Sequence, residues 1–178
     1  MKSDNMRFYS AMLMAGCGLH AAAQTQRPNI VFIITDDHSF QTISAYGSEV
    51  SKLAPTPNID RLANEGARFD DAFVENSLST PARACLLTGL YSHQNGQRTL
   101  GKGIDSTKTF VSELLQDAGY QTGVVGKWHM QCRPKGFDFF RIFEGQGDYY
   151  NPLVLSHDSN GKYEREQGYA TDIVTEHA

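Results

Sequence analysis

Hydrophobic and polar positions along this chain fall into two alternating patterns. Residues 29–35 (NIVFIIT) are a continuous apolar, β-branched run, the pattern of a strand buried on both faces of a parallel sheet. The run stops at Asp36-Asp37-His38. Thr56-Pro57 then offers an N-cap and a proline at the first helical position, with Ile59, Leu62 and Ala63 at helical spacing and Gly66 as the stop. Residues 68–74 read as a second strand. Pro81 to Thr88 reads as a helix opened by proline and closed by Gly89. Thr107 to Ala118 reads as another, with Phe110, Val111, Leu114 and Leu115 as its apolar stripe and Gly119 as its end. Tyr120 to Val125 is the next expected strand and leads straight into Gly126-Lys127-Trp128-His129. From Gly136 to Asn160 the chain is rich in Gly, Asp, Tyr and Phe and reads as irregular. Gly168 to Ala178 reads as the start of a helix.

Strands alternating with helices predict an α/β sheet with crossover connections. Ligands in such sheets sit beyond the carboxyl ends of the strands. Asp36-Asp37 and the Lys127/His129 pair each follow an expected strand end, so both are expected at one edge.

The first 23 residues read differently. Lys2 and Arg7 precede a mostly apolar stretch from Phe8 to Leu19, and Ala21-Ala22-Ala23 supplies small residues for cleavage. That is the layout of a secretory signal peptide at 1–23, with 24–178 as the exported, periplasmic or extracellular part. The stretch is shorter than the ~20 residues a membrane span needs, so no stable span is expected. Lipoprotein anchoring at Cys17 is the alternative, disfavoured by Met14 at a lipobox position.

Composition narrows the class. With 178 residues, 40% hydrophobic and 20% charged, the chain is too apolar for disorder. A net charge of -4 without a Lys/Arg cluster excludes an electrostatic footprint for nucleic acid. Three cysteines (Cys17, Cys85 and Cys132) are too few for a disulfide scaffold. Cys85, inside an expected helix, reads as a small packing residue.

Three clusters carry chemistry. Asp36-Asp37 at a strand end suits a hard divalent cation, although paired aspartates are more commonly a cap or a solvated turn. Ser79 stands just before a helix whose N-terminus favours anions, and Arg83 lies four residues on, on the same face. Taken alone, Ser79 is an N-cap and Arg83 a surface charge. Lys127 and His129, two apart on a strand continuation, would point the same way and suit anion binding and proton handling.

In this order the clusters resemble the type I sulfatases of the alkaline-phosphatase superfamily. The resemblance runs through Arg27-Pro28-Asn29-Ile30-Val31 to Asp36-Asp37 and through Thr56-Pro57-Asn58-Ile59-Asp60-Arg61-Leu62-Ala63. It continues in Ser79-x-Pro81-x-Arg83 with Leu86-Leu87-Thr88-Gly89, and in Gly126-Lys127-Trp128-His129. It implies an alkaline-phosphatase-like, mostly parallel sheet flanked by helices, of which residues 24–178 are the N-terminal portion. It also implies that Ser79 is oxidised to formylglycine (3-oxoalanine) by a serine-type sulfatase-maturating enzyme before export. Asp36 and Asp37, with modified Ser79, would hold Ca²⁺. Arg83 would orient residue 79, Lys127 would neutralise sulfate oxygens, and His129 would bond the nucleophile's hydroxyl.

Gly145 to Pro152 and Gly168 to Asp172 resemble carbohydrate sulfatases acting on glycosaminoglycan or mucin sugars such as N-acetylglucosamine 6-sulfate. Tyr149, Tyr150 and Asn151 are the candidate sugar contacts, with a packed surface loop as the alternative. Ser156-His157-Asp158 is a weaker polar candidate. Family members are much longer, so the distal metal ligands, a second lysine and the leaving-group acid are expected outside these residues, and the chain alone is expected to be inactive. Two other readings remain: a phosphoesterase or phosphonate hydrolase of the same superfamily, and an inactive remnant or sugar-binding fragment.

Overall fold

A computed structural model describes residues 27–178. The expected signal peptide at 1–23 and Cys17 lie outside the described residues. The chain divides into two compact units, one running through His38 and the other from Ser39 to Ala178.

In the first unit the apolar run 29–35 pairs with no strand among the described residues. Ile30 to Ile34 are between 46% and 83% exposed. This corrects the expected buried strand. Such a strand needs a hydrogen-bonded neighbour and cover on both faces, and the described residues provide no ladder for it.

The second unit opens with three short 3-10 turns, Phe40–Thr42, Ser44–Tyr46 and Val50–Lys52. Helix α1, Pro57–Glu65, begins at its proline and ends at Gly66, as expected. Thr56 holds the N-cap position without capping. Its hydroxyl accepts the Ser44 N–H at 3.0 Å and donates to Asp60 Oδ1 at 3.1 Å. Residues 68–74 form no strand, and Phe69, Phe73 and Val74 are exposed, a second correction of the same kind.

Helix α2, Ser79–Thr88, is closed by Gly89 in the left-handed region, at φ 65. A one-turn helix, α3, follows at Ser92–Asn95. Helix α4 spans Val111–Asp117 and starts later than the expected Thr107. Asp105 Oδ1 takes both the Thr107 N–H, at 3.0 Å, and its hydroxyl, at 2.7 Å. These bonds favour a turn over the helix. Phe110 is fully buried ahead of α4, whereas Val111 and Leu114 are exposed.

Strands β1 (Gly123–Lys127), β2 (Phe139–Phe143), β3 (Leu153–Ser156) and β4 (Tyr163–Arg165) form one sheet in sequence order. β1 and β2 are parallel; β2–β3 and β3–β4 are antiparallel. Segment 136–160 is therefore not irregular, as expected, but supplies two strands. Flanking Gly and Asp residues mask a short apolar run at 139–143, broken only by Arg141. Helix α5, Ala170–His177, ends the described chain.

Period-2 geometry divides the sheet's side chains between two clusters. Phe140, Ile142 and Leu155 join Ala84, Ile104, Phe110, Trp128 and Met130. Phe143 and Val154 join Ala170 and Val174. Helices thus cover both faces, an α/β arrangement.

The entry to β1 and β2 is pinned by Asp138, which accepts the Thr122 N–H at 2.8 Å and the Gln116 side-chain amide at 2.7 Å. The Thr122 bond, more than any other contact, holds the Asp138 carboxyl below its ordinary pKa. Because the folded pKa is the lower one, its stabilisation is present above the unfolded value of about 3.9 and is lost as pH falls through the folded value. Asp138→Asn should flatten the acid side of the stability profile, read as urea midpoints between about pH 6 and pH 3. Parallel profiles for the two proteins would contradict this.

Gly136 sits at φ 72, and a Cβ there would lie 2.7 Å from Glu113 N and 2.8 Å from Ser112 Oγ. Gly161, at φ 80, faces open space. Gly161→Ala should therefore cost about 1 kcal/mol of backbone strain, and Gly136→Ala at least ~2 kcal/mol. Urea denaturation of both variants separates strain from clash.

Candidate active site

The site is built on the junction between the start of α2 and the chain leaving β1. The N-cap position of α2 is Leu78, in extended conformation, with no side-chain cap. The Leu78 N–H donates to Asn76 Oδ1 at 3.0 Å, an Asx-type turn that leads into the helix. Ser79 is the first helical residue, so the helix starts two positions before the expected Pro81 and Ser79 lies inside it. Its Oγ is buried and has no hydrogen-bond partner among the described residues. Capping therefore does not explain Ser79. A buried hydroxyl left unbonded is costly, and such groups call for another explanation.

Two bonds fasten α2 to the segment after β1. Thr80, fully buried, donates from its hydroxyl to the His129 carbonyl at 3.2 Å. Arg83 Nη1 donates to the Lys127 carbonyl at 2.7 Å. Ser79, Arg83, Lys127 and His129, separated by up to 50 positions in sequence, are thereby brought to one junction. Thr80 was not singled out in the sequence. Its signal was its spacing: Thr80, Ala84 and Leu87 share one helix face, so a hydroxyl there must find a buried acceptor.

Lys127 ends β1, and His129 does not continue the strand. Its φ is 51, in the left-handed region, which ends strand alternation. The expectation that both side chains point the same way because they lie on one strand is therefore corrected. The turn is held by Trp128 Nε1, which donates to the Cys132 carbonyl at 2.6 Å, and by the Ile104 N–H, which donates to the Met130 carbonyl at 3.3 Å. Gly126, at φ 99, lets α5 approach: a Cβ there would lie 3.2 Å from Val174 Cγ2.

Cys85 is not a simple packing residue. Its thiol donates to Glu75 Oε2, and the Asn95 amide donates to its sulfur at 3.5 Å. Burial, reinforced by the Glu75 bond, pushes the thiol pKa up. The shift favours the thiol over the nucleophilic thiolate. An open cavity of about 410 Å³ adjoins it, lined by residues including Phe73, Glu75, Leu86 and Tyr91.

Asp36 and Asp37 belong to the first unit, where both are exposed and the chain bends. Asp37 adopts φ 54. Two carboxylates are the right donor type for Ca²⁺. Among the described residues they join no group of three or more His, Cys, Asp or Glu able to hold a metal. An ion taking six to eight oxygens would need further ligands.

Tyr149 and Tyr150 are exposed, and Asn151 is partly buried at φ 53. Ser156-His157-Asp158 forms no polar cluster. Ser156 ends β3, and the His157 ring packs edge-on against Phe140 with centroids 5.7 Å apart. No helix among the described residues is long and apolar enough to cross a membrane.

The sulfatase family pattern matches residues 28–178. The chain is 46% identical over 172 residues to the N-acetylglucosamine-6-O-sulfatase of Bacteroides thetaiotaomicron, covering 95% of this chain and 30% of that protein. It thus spans less than a third of that relative's length. A solved structure in complex with its substrate D-glucosamine-2-N,6-O-disulfate is 48% identical, with a TM-score of 0.80 over 85% of this chain and 30% of the other. The crystal structure of Ps i-CgsB in complex with k-i-k-neocarrahexaose is 32% identical, with a TM-score of 0.74 over 85% of this chain and 40% of the other. The α/β fold is accordingly that of the alkaline-phosphatase-like sulfatases.

If the Thr80 hydroxyl carries the junction, Thr80→Val should cost about 1–3 kcal/mol, since the bond from this fully buried side chain to the His129 carbonyl is lost. Amide exchange at residues 127–130 should accelerate while that in α5 stays as it was. Uniform acceleration throughout would count against a local clamp.

Proposed function

The chain belongs to the sulfatase family, and from that premise we propose that it forms the nucleophile-bearing part of a sulfuric ester hydrolase for sulfated carbohydrates. The substrate class is glycosaminoglycan or mucin sugars, in keeping with relatives named for N-acetylglucosamine and N-acetylgalactosamine sulfates. The observation that carries this reading is the double clamp from Thr80 and Arg83 onto the His129 and Lys127 carbonyls, beside a Ser79 hydroxyl that is buried and unbonded.

Each residue then has a part. Ser79 is the position converted to formylglycine by a serine-type maturating enzyme before export. Arg83, one turn away, holds positive charge beside residue 79. Lys127 binds the sulfate oxygens, and His129 exchanges a proton at residue 79. Asp36 and Asp37 contribute carboxylates to a Ca²⁺ site completed by further ligands. When present, the formylglycine and Ca²⁺ supply the nucleophile and the Lewis-acid charge of the reaction.

The test is mass spectrometry of the Ser79 peptide after co-expression with a serine-type maturating enzyme. The expected peptide is lighter by two hydrogens, and Ser79→Ala abolishes the shift. An unmodified Ser79 would favour a phosphoesterase of the same superfamily, in which the serine itself attacks.

A further inference from the structure

The segments at 149–151 and 168–170 lie side by side and are tied by a dense set of bonds. Tyr150 and Tyr169 form an isolated antiparallel bridge. The Ala170 N–H donates to the Tyr149 carbonyl at 2.8 Å, and the Asn151 N–H donates to the Gly168 carbonyl at 2.8 Å. The Gly168 N–H donates to Asn151 Oδ1 at 2.9 Å, and Arg165 Nη1 donates to the Asn151 carbonyl at 2.6 Å. Asn151, at φ 53, accepts a strained backbone to make these bonds.

This frame carries aromatic rings that do not pack inward. Tyr150 is 69% exposed and Tyr169 39%, yet their centroids are only 5.2 Å apart, with the planes tilted by 47°. Tyr149, beside them, is also exposed. Arg165 lies 3.8 Å from Asp148 at the border of the patch. Aromatic rings fixed in water, with a balanced charge pair beside them, match an apolar ring face edged by hydroxyls.

We propose that Tyr150 and Tyr169 form a subsite for one sugar ring of the saccharide chain, held through its C–H face and not through a sulfate group. Asp148 and Arg165 bond its hydroxyls. Their opposite charges leave no surplus cation for a sulfate, which is why the subsite suits an unsulfated ring next to the one being hydrolysed. Asn151 is a positioning residue: its Oδ1 and carbonyl are committed to Gly168 and Arg165. The ligand class rests on the function proposed above, whereas the frame and the exposed rings do not.

The test is a titration of the 178-residue chain with an N-acetylglucosamine-containing tetrasaccharide, O-sulfated and chemically desulfated, followed by calorimetry and by the tyrosine ring resonances in NMR. Both forms should bind with Kd values within about threefold of each other, and Tyr150→Ala and Tyr169→Ala should each weaken binding about tenfold. The Tyr150 and Tyr169 ring resonances should shift in the unaltered chain, a readout independent of whether a variant folds. Loss of binding on desulfation, unchanged affinity in both variants, or unmoved ring resonances would each overturn the subsite. Oxidation of Ser79 is read separately. Desulfated saccharide bound by a chain whose Ser79 resists oxidation leaves the subsite standing and removes the sulfatase reading. Oxidised Ser79 without saccharide binding does the reverse.

Discussion

The pairing of two backbone carbonyls with two side chains of one helix holds the junction together. Lys127 is the last residue of β1 and His129 lies in the turn after it; the Lys127 carbonyl accepts from Arg83 and the His129 carbonyl from the Thr80 hydroxyl. Two bonds from one helix to consecutive parts of the same segment fix where α2 docks. The docking in turn places Ala84 in the core with Phe110, Trp128 and Met130. The same helix that seals the core therefore presents Ser79, and packing and site geometry cannot vary independently.

Elements set by local chemistry were legible in the sequence. Pro57 and Gly66 bound α1, and Gly89 closes α2, because fixed φ and left-handed freedom act within a turn of the residue. The parallel β1 was legible within a few residues. The strands at 139–143 and 153–156 were not, because their apolar residues divide between two clusters, the first run is interrupted by Arg141 and the second is only three residues long before Ser156. The helix expected from Thr107 failed because Asp105 captures that backbone first.

The candidate site was legible as a set of residue types and only partly as geometry. Ser79 and Arg83 were readable from helical spacing. Their relation to Lys127 was not, because a contact across 44 positions leaves no periodic trace. The role of Lys127 and His129 as backbone acceptors was hidden as well, since a carbonyl has no sequence signature. The most strand-like stretch, 29–35, remains exposed among the described residues. Strand formation is a property of pairs of segments, so β-branched composition states a demand for partners that only tertiary structure can meet. This chain, which spans 30% of the length of the Bacteroides thetaiotaomicron relative, leaves that demand open in residues 30–34 and again at Phe69 and Phe73.

The left-handed positions connect these points. Among the described residues, five non-glycine positions have positive φ, and three of them are Asp37, His129 and Asn151, one in each of three segments singled out on chemical grounds. Each such residue costs roughly 1 kcal/mol and persists only where surrounding bonds over-determine it. At His129 those bonds are the Thr80 hydroxyl and the Trp128 anchor two positions either side of Met130; at Asn151 they are the Gly168 and Arg165 contacts. Strain held by several bonds leaves the backbone one accessible conformation, and a side chain on it one narrow range of directions. Under the proposed function, a site for an anionic ester needs its charges fixed before the substrate arrives, because reorienting them during reaction would cost part of the stabilisation they provide. The bonds around His129 supply that fixity for the turn that carries Lys127 and His129.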